Sequence, residues 1–272
     1  MPTSLQAIAK KAQESKQNRF HNLYRLIDEQ HLRTSWLFIR QNAAYGVDEV
    51  SAEVSAKEYE ENLVDNISNL VERLKGKSYR ARLVRRQWNT KTDGRMRPLG
   101  IPVVEDKLLQ LAVKRILEAI YEQDFLRCSY GRRRKTGALD AVDKLTVKLQ
   151  FGRYNFVVEA DIAAFFDRID HDRLIEMLSL RIADKQLLRL IKKWLKAGVL
   201  ETDGTVMHPE TGSRQGGVIS PILANVYLHY TLDQWFHEVV KTHCRGEACL
   251  IRYADDFVAV SLGWAGYGNE YF

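Results

Sequence analysis

Two adjacent acids, Asp255 and Asp256, interrupt an apolar stretch that runs Leu250-Ile251-Arg252-Tyr253-Ala254-Asp255-Asp256-Phe257-Val258-Ala259-Val260. The apolar and β-branched residues on either side predict strand, tight turn, strand, with the acids at the tip. Side chains alternate between the faces of a strand, so neighbouring acids share a site only where the chain turns. Such a pair offers oxygen donors to a hard divalent cation. Taken alone, Asp-Asp reads first as a polar hairpin turn, so a third carboxylate is needed. Asp161 supplies it, near the end of a second strand candidate, Tyr154 to Ile162, that runs into Ala163-Ala164-Phe165-Phe166-Asp167. An acid at the end of an apolar strand is costly to bury unpaired, and a cation shared with Asp255 resolves that cost.

The surrounding chain must position these acids. Residues 1–40 read as helical, with Leu23, Leu26 and Ile27 on one face, until Gly46-Val47-Asp48 breaks the pattern. Ser55-Ala56-Lys57-Glu58 fits a capping box opening one helix, with Tyr59, Leu63, Ile67, Leu70, Val71 and Leu74 on a stripe. Residues 75–97 are strongly basic but interleaved with Tyr79, Leu83, Val84 and Trp88, which predicts paired strands turning at Thr92-Asp93-Gly94-Arg95. A basic hairpin is most simply solvated surface; it can also reach over phosphates, which Arg binds bidentately. A helix from Asp106 buries Leu109, Ala112, Val113, Ile116, Leu117 and Ile120. Arg132, Arg133, Arg134 and Lys135 then follow a glycine turn, four consecutive positive charges suited to sequence-independent contact with nucleic-acid phosphates. Helices over 170–182 and 184–196 and a hairpin over 200–207 come next. Gly212-Ser213-Arg214-Gln215-Gly216-Gly217 leads into Ser220-Pro221 and the last long helix; glycines there allow a ligand close to the backbone.

With 272 residues, 45% hydrophobic and 28% charged, the chain has the composition of a globular protein with one or two domains. Its net charge of +6 favours a polyanionic partner. No apolar run suits a signal peptide or a membrane span. Three cysteines are too few for a disulfide framework and point to a reducing, cytosolic setting. His243, Cys244 and Cys249 lack the fourth ligand that a zinc site needs.

Tyr253-Ala254-Asp255-Asp256, with Asp161-Ile162 and Phe165-Phe166-Asp167 upstream, resembles the palm of a reverse transcriptase of the group II intron (maturase) type. Arg97-Pro98-Leu99-Gly100-Ile101-Pro102 resembles the fingers motif of that family, and Gln215-Gly216-Gly217 before Ser220-Pro221 and Leu223-Ala224-Asn225-Val226-Tyr227-Leu228 resembles a third motif. Gly46-Val47-Asp48 before a helix is a weaker match. After Ser129-Tyr130-Gly131, Arg132 and Arg134 stand where the family has an aromatic residue and a proline, and Arg214 stands where proline is frequent.

The resemblance spans about residues 40–260 and implies an α+β, right-hand polymerase fold with fingers and palm and no thumb. The expected domains are a helical extension over 1–45, fingers over 46–150, a palm over 151–260 with a fingers insertion at 171–207, and an unmatched tail at 261–272. A chain truncated before the helical thumb is expected. The implied function is RNA-directed DNA synthesis on an RNA template from a DNA primer and dNTPs, with intron RNA as a further partner, no membrane, and a bacterial cytosolic location. Asp161, Asp255 and Asp256 are the implied ligands of two Mg²⁺ ions, for which Mn²⁺ can substitute. The Ile162 carbonyl is a candidate extra donor. Lys91 and Arg97 are implied to grip the triphosphate, with Arg86 a third candidate. Phe166 is implied to lie under the sugar, core packing being its other role. Gln215 and Gly216 are implied to position nucleotide and template. The alternative function is an intron-RNA-binding splicing cofactor with little or no polymerase activity.

Overall fold

The computed structural model describes residues 4–39, 52–90, 94, 96–134, 136–208, 210–213 and 216–263, with 52–55 as backbone only. Lys91, Lys135 and Gln215 lie outside the described residues, as do Gly46-Val47-Asp48 and residues 264–272.

Helix α1 (Ser4–Glu14) is followed by a 3₁₀ turn at Leu23–Leu26 and by α2 (Glu29–Trp36), which Asp28 starts by accepting the His31 amide at 2.8 Å. One helix was expected next. Two are present, α3 (Ala52–Glu61) and α4 (Leu63–Lys75), because Asn62 between them leaves the helical region at φ −114° and ψ 30°. Ser55 therefore lies inside α3 and does not begin it. Helix α4 buries Ile67, Leu70, Val71 and Leu74, one stripe at helical spacing. Strands β1 (Val84–Thr90) and β2 (Met96–Ile101) form the expected basic hairpin, in register from Arg85↔Ile101 to Thr90↔Met96. Helix α5 (Val104–Tyr121) carries the predicted apolar stripe.

Helix α6 (Ala138–Phe151), not expected from the sequence, starts where Asp140 accepts the Gly137 amide at 2.6 Å. Strand β3 (Phe156–Asp161) leads to the short α7 (Phe165–Arg168), then α8 (His171–Ser179) and α9 (Lys185–Leu195). Asp170 and Asp184 cap the last two, each accepting two backbone amides. After β4 (Val199–Leu200) and β5 (Val206–Met207), α10 (Ser220–Leu228) continues through widened π turns at His229–Asp233 and Phe236–Val240 into α11 (Lys241–His243). Strands β6 (Ala248–Tyr253) and β7 (Asp256–Ser261) complete the described chain.

The chain divides into two units, Met1–Ile120 with Phe166–Ser220, and Tyr121–Phe165 with Pro221–Phe272. The first holds a four-stranded sheet ordered β2-β1-β4-β5, and α2 packs on α4 and α8 on α9. The second holds an antiparallel sheet ordered β3-β7-β6. One face of that sheet presents Val158, Leu250 and Ala259 to Phe236 and Val240, which form its core. Residues 121–151 join the second unit because Ser129 bridges to Arg252 at the edge of β6 and α6 packs on β6.

Candidate active site

The antiparallel register of β3 with β7 sets Asp161 directly opposite Asp256, and the register of β7 with β6 sets Asp256 opposite Tyr253. Residues directly opposed in an antiparallel pair point to the same face, with Cβ atoms about 4.5–5.5 Å apart. Asp161 and Asp256 are thus neighbours on one face, away from the Phe236–Val240 core. Asp255 is in the two-residue link between β6 and β7, with Ala254 at φ 58° before it. Asp161 and Asp256 are exposed and Asp255 is half-buried. The sequence pairs Asp161 first with Asp255; the register makes Asp256 the direct partner and leaves Asp255 at the turn beside them. Glu159, a fourth acid that the sequence reading passed over, lies on the same face opposite Val258. Its signal was its place two residues before Asp161 in a strand of period two. Glu159, Asp161, Asp256 and Tyr253 border a cleft of about 330 Å³, which Ala141, Val142 and Leu145 of α6 also line.

Among the described residues, no group of three or more His, Cys, Asp or Glu side chains is gathered so that it could hold a metal ion by itself. An open row of carboxylates fits Mg²⁺ nonetheless. That ion is held through one or two carboxylates and completes its shell with water and substrate phosphates. The Ile162 carbonyl, a candidate donor, accepts the Phe165 amide at 3.2 Å and closes the turn into α7.

Two of the arginines expected to contact nucleic acid have partners within the chain. Arg133 is turned inward: its side chain bonds Glu122 at 3.1 and 3.2 Å and the carbonyls of Leu126 and Ser129 at 3.0 and 2.7 Å, and it lies over the Phe125 ring. Arg132 and Arg134 on either side of it are exposed. Arg86 forks onto Glu201, with donor distances of 2.9–3.1 Å, and stacks over Trp88. Neither pairing is local: Glu201, in the turn after β4, is 115 positions from Arg86, and Glu122, just past α5, is 11 positions before Arg133.

In the first unit, Arg97 lies opposite Asn89 on the hairpin and is exposed. Gly216 has φ +108°, and a Cβ there would fall 2.9 Å from the Gly100 carbonyl oxygen, so glycine is required by both conformation and space. Gln110 accepts the Val218 amide at 3.1 Å and steadies the same turn. Of the two phenylalanines after Asp161, Phe165 is the buried one, edge-on to Tyr227; Phe166 is half-buried.

The family model "Reverse transcriptase (RNA-dependent DNA polymerase)" matches residues 89–263, and the chain belongs to that family. It is 37% identical over 227 residues to the group II intron-encoded protein LtrA of Lactococcus lactis subsp. cremoris, covering 83% of this chain and 37% of the relative. It is 38% identical over 159 residues to protein YkfC of Escherichia coli (strain K12), covering 57% of this chain and 41% of that one. Among solved structures, a chain of a partial Cas6-RT-Cas1--Cas2 complex is matched at 23% identity and a TM-score of 0.49, over 88% of this chain and 38% of that one. The chain spans well under half the length of these curated relatives. No helix of the described residues is long and apolar enough to cross a membrane.

Proposed function

We propose that this chain carries the polymerising site of a group II intron-type reverse transcriptase, extending a DNA primer with dNTPs on an RNA template. The observation that carries this reading is the register of Asp161 with Asp256 on an open sheet face, with Asp255 in the adjoining turn. Two bound Mg²⁺ ions, or Mn²⁺ in their place, would supply positive charge to ready the primer hydroxyl and to neutralise the phosphates. Asp161, Asp255 and Asp256 hold that charge in place. Arg97 donates to phosphate oxygens, and Lys91 adds a second positive charge. Gln215 and Gly216 shape the seat of the nucleotide, and Phe166 excludes a 2′-hydroxyl. Arg132 and Arg134, with Lys135, contact the nucleic-acid backbone. The working location is the bacterial cytosol, in association with nucleic acid.

Similarity to a group II intron-encoded protein motivates a second reading, intron-RNA binding in support of splicing with little or no synthesis. Primer extension on poly(A) with oligo(dT), run beside filter binding of RNA, separates the two. Extension that is lost in Asp161→Asn and in Asp256→Asn, with RNA still bound, is the expected result. Extension retained in Asp161→Asn refutes the assignment, and binding without extension in the unaltered chain selects the second reading.

A further inference from the structure

The turn that carries Asp255 is gripped from inside the second unit by one guanidinium. Arg252 is fully buried, at 0% exposure. Being next to Tyr253 in β6, its side chain leaves the sheet on the face opposite Asp161 and Asp256. Its Nε and Nη2 donate to the two oxygens of Asp233, both at 2.7 Å. Nη2 also donates to Ser129 Oγ at 2.8 Å. Nη1 donates to Asn225 Oδ1 at 3.1 Å and to the Ala254 carbonyl oxygen at 2.8 Å. All five N–H donors of the guanidinium thus have acceptors.

The last of these bonds bears on the site. The Ala254 carbonyl belongs to the peptide that leads into Asp255, and Ala254 sits at φ 58°, a left-handed conformation that costs a residue with a Cβ about 1–2 kcal/mol. The peptide before it, Tyr253–Ala254, is approached closely by Gly131, where a Cβ would lie 2.9 Å from the Tyr253 carbonyl carbon and 2.3 Å from the Ala254 nitrogen. The Gly131 carbonyl in turn accepts Asn225 Nδ2 at 2.9 Å, and this is the asparagine that Arg252 holds. Arg252, Asn225, Gly131 and Ala254 therefore form a closed ring of contacts beneath the turn. Asp233, 1% exposed, balances the buried charge. A buried ion pair is weak evidence for stability, since apolar side chains of similar volume often serve as well. What it adds here is a fixed direction for one strained peptide.

We propose that Arg252, seated by Asp233, is a positioning residue of the polymerising site: by holding the Ala254 carbonyl it sets where the Asp255 carboxylate stands beside Asp256 and Asp161. This rests on the polymerase reading above. Two variants test it. Arg252→Lys keeps the charge opposite Asp233 but cannot span Asp233, Asn225 and Ala254 together. The double change Arg252→Met with Asp233→Leu removes both charges and leaves neither unpaired. Each is expected to fold, by circular dichroism and melting. Each is expected to lose roughly 10- to 100-fold in kcat with the KM for dNTP within about threefold, the pattern of a misplaced group and not of a lost substrate contact. Mn²⁺ affinity of the protein without nucleic acid, read by electron paramagnetic resonance, is expected to weaken severalfold. A folded variant of either kind with unaltered kcat and Mn²⁺ affinity overturns the proposal. Failure of both to fold also overturns it, because the pair would then determine the fold and not the aim of the turn. An unaltered chain that binds Mn²⁺ but extends no primer sinks the polymerase reading instead, and the Mn²⁺ titration still reports on Arg252.

Discussion

Arg86 and Arg97 lie close together on one hairpin and look interchangeable in the sequence, yet their surroundings separate them. Arg97 is exposed, while the Arg86–Glu201 pair leaves 19% and 16% of the two side chains exposed. Arg97→Ala should raise the KM for dNTP by about tenfold or more, the loss of one charge-assisted contact of about 1.5–3 kcal/mol. Arg86→Ala should leave that KM nearly unchanged and instead lower stability by about 1–3 kcal/mol, because Glu201 keeps a half-buried charge without its partner. Denaturant melts beside steady-state kinetics distinguish the two; a large KM effect from Arg86→Ala returns that residue to the phosphate contacts. Phe166→Ala should admit ribonucleotides into the product, and unchanged sugar selection would leave Phe166 a packing residue. That the strands carrying Asp161 and Asp256 exist was legible from the apolar runs beside them; no burial cost marks the acids themselves, which are exposed. The partners of Arg86, Arg133 and Arg252 were not legible, because each ion pair joins residues that only the folded chain brings together.

At the scale of elements, the hairpins and the capped helices follow from local chemistry: Asp170 and Asp184 mark helix starts that the structure keeps. Helix α6 was hidden because Leu139, Val142, Val147, Leu149 and Phe151 are exposed, so its apolar residues trace no single buried stripe. Asn62 splits a helix whose stripe runs on regardless. The first turn of α5 holds a testable feature. Asp106, 2% exposed, accepts Tyr79 Oη at 2.6 Å and the Arg82 amide at 3.0 Å, and Trp194 Nε1 donates to the same Tyr79 oxygen at 2.9 Å. Burial pushes the Asp106 carboxyl from 3.8 up to about 6, against the pull of those hydrogen bonds. A group whose folded pKa lies above its unfolded value stabilises fully below the unfolded value, and that contribution is lost as pH rises through the folded one. Stability should therefore fall by up to ~3 kcal/mol from this group between about pH 4 and about pH 7. Urea melts of Asp106→Asn across that range should show a flatter slope than the unaltered chain; an equal slope in both would assign the pH dependence to other groups.

At the scale of the whole molecule, the net charge of +6 and the exposed Arg97, Arg132 and Arg134 predict salt-sensitive binding of single-stranded RNA. Three phosphate contacts give a slope of log K on log salt of about −2, and each arginine removed should make it shallower by about 0.7; Arg133→Gln should leave the slope where it was. The fold class was legible because two strands and a turn could be assigned around the acids. The attachment of residues 121–151 to β6 was not, because it runs through a bridge at Ser129 and through α6, contacts that no local pattern announces. Everything at this scale rests on the acid-bearing face of the second sheet being the seat of the cations. Titration of the protein with Mn²⁺, followed by electron paramagnetic resonance, measures that most directly. Binding should weaken at least about tenfold, or ~1.4 kcal/mol, in Asp161→Asn and in Asp256→Asn. Equal Mn²⁺ affinity in Asp161→Asn and the unaltered chain would contradict the account.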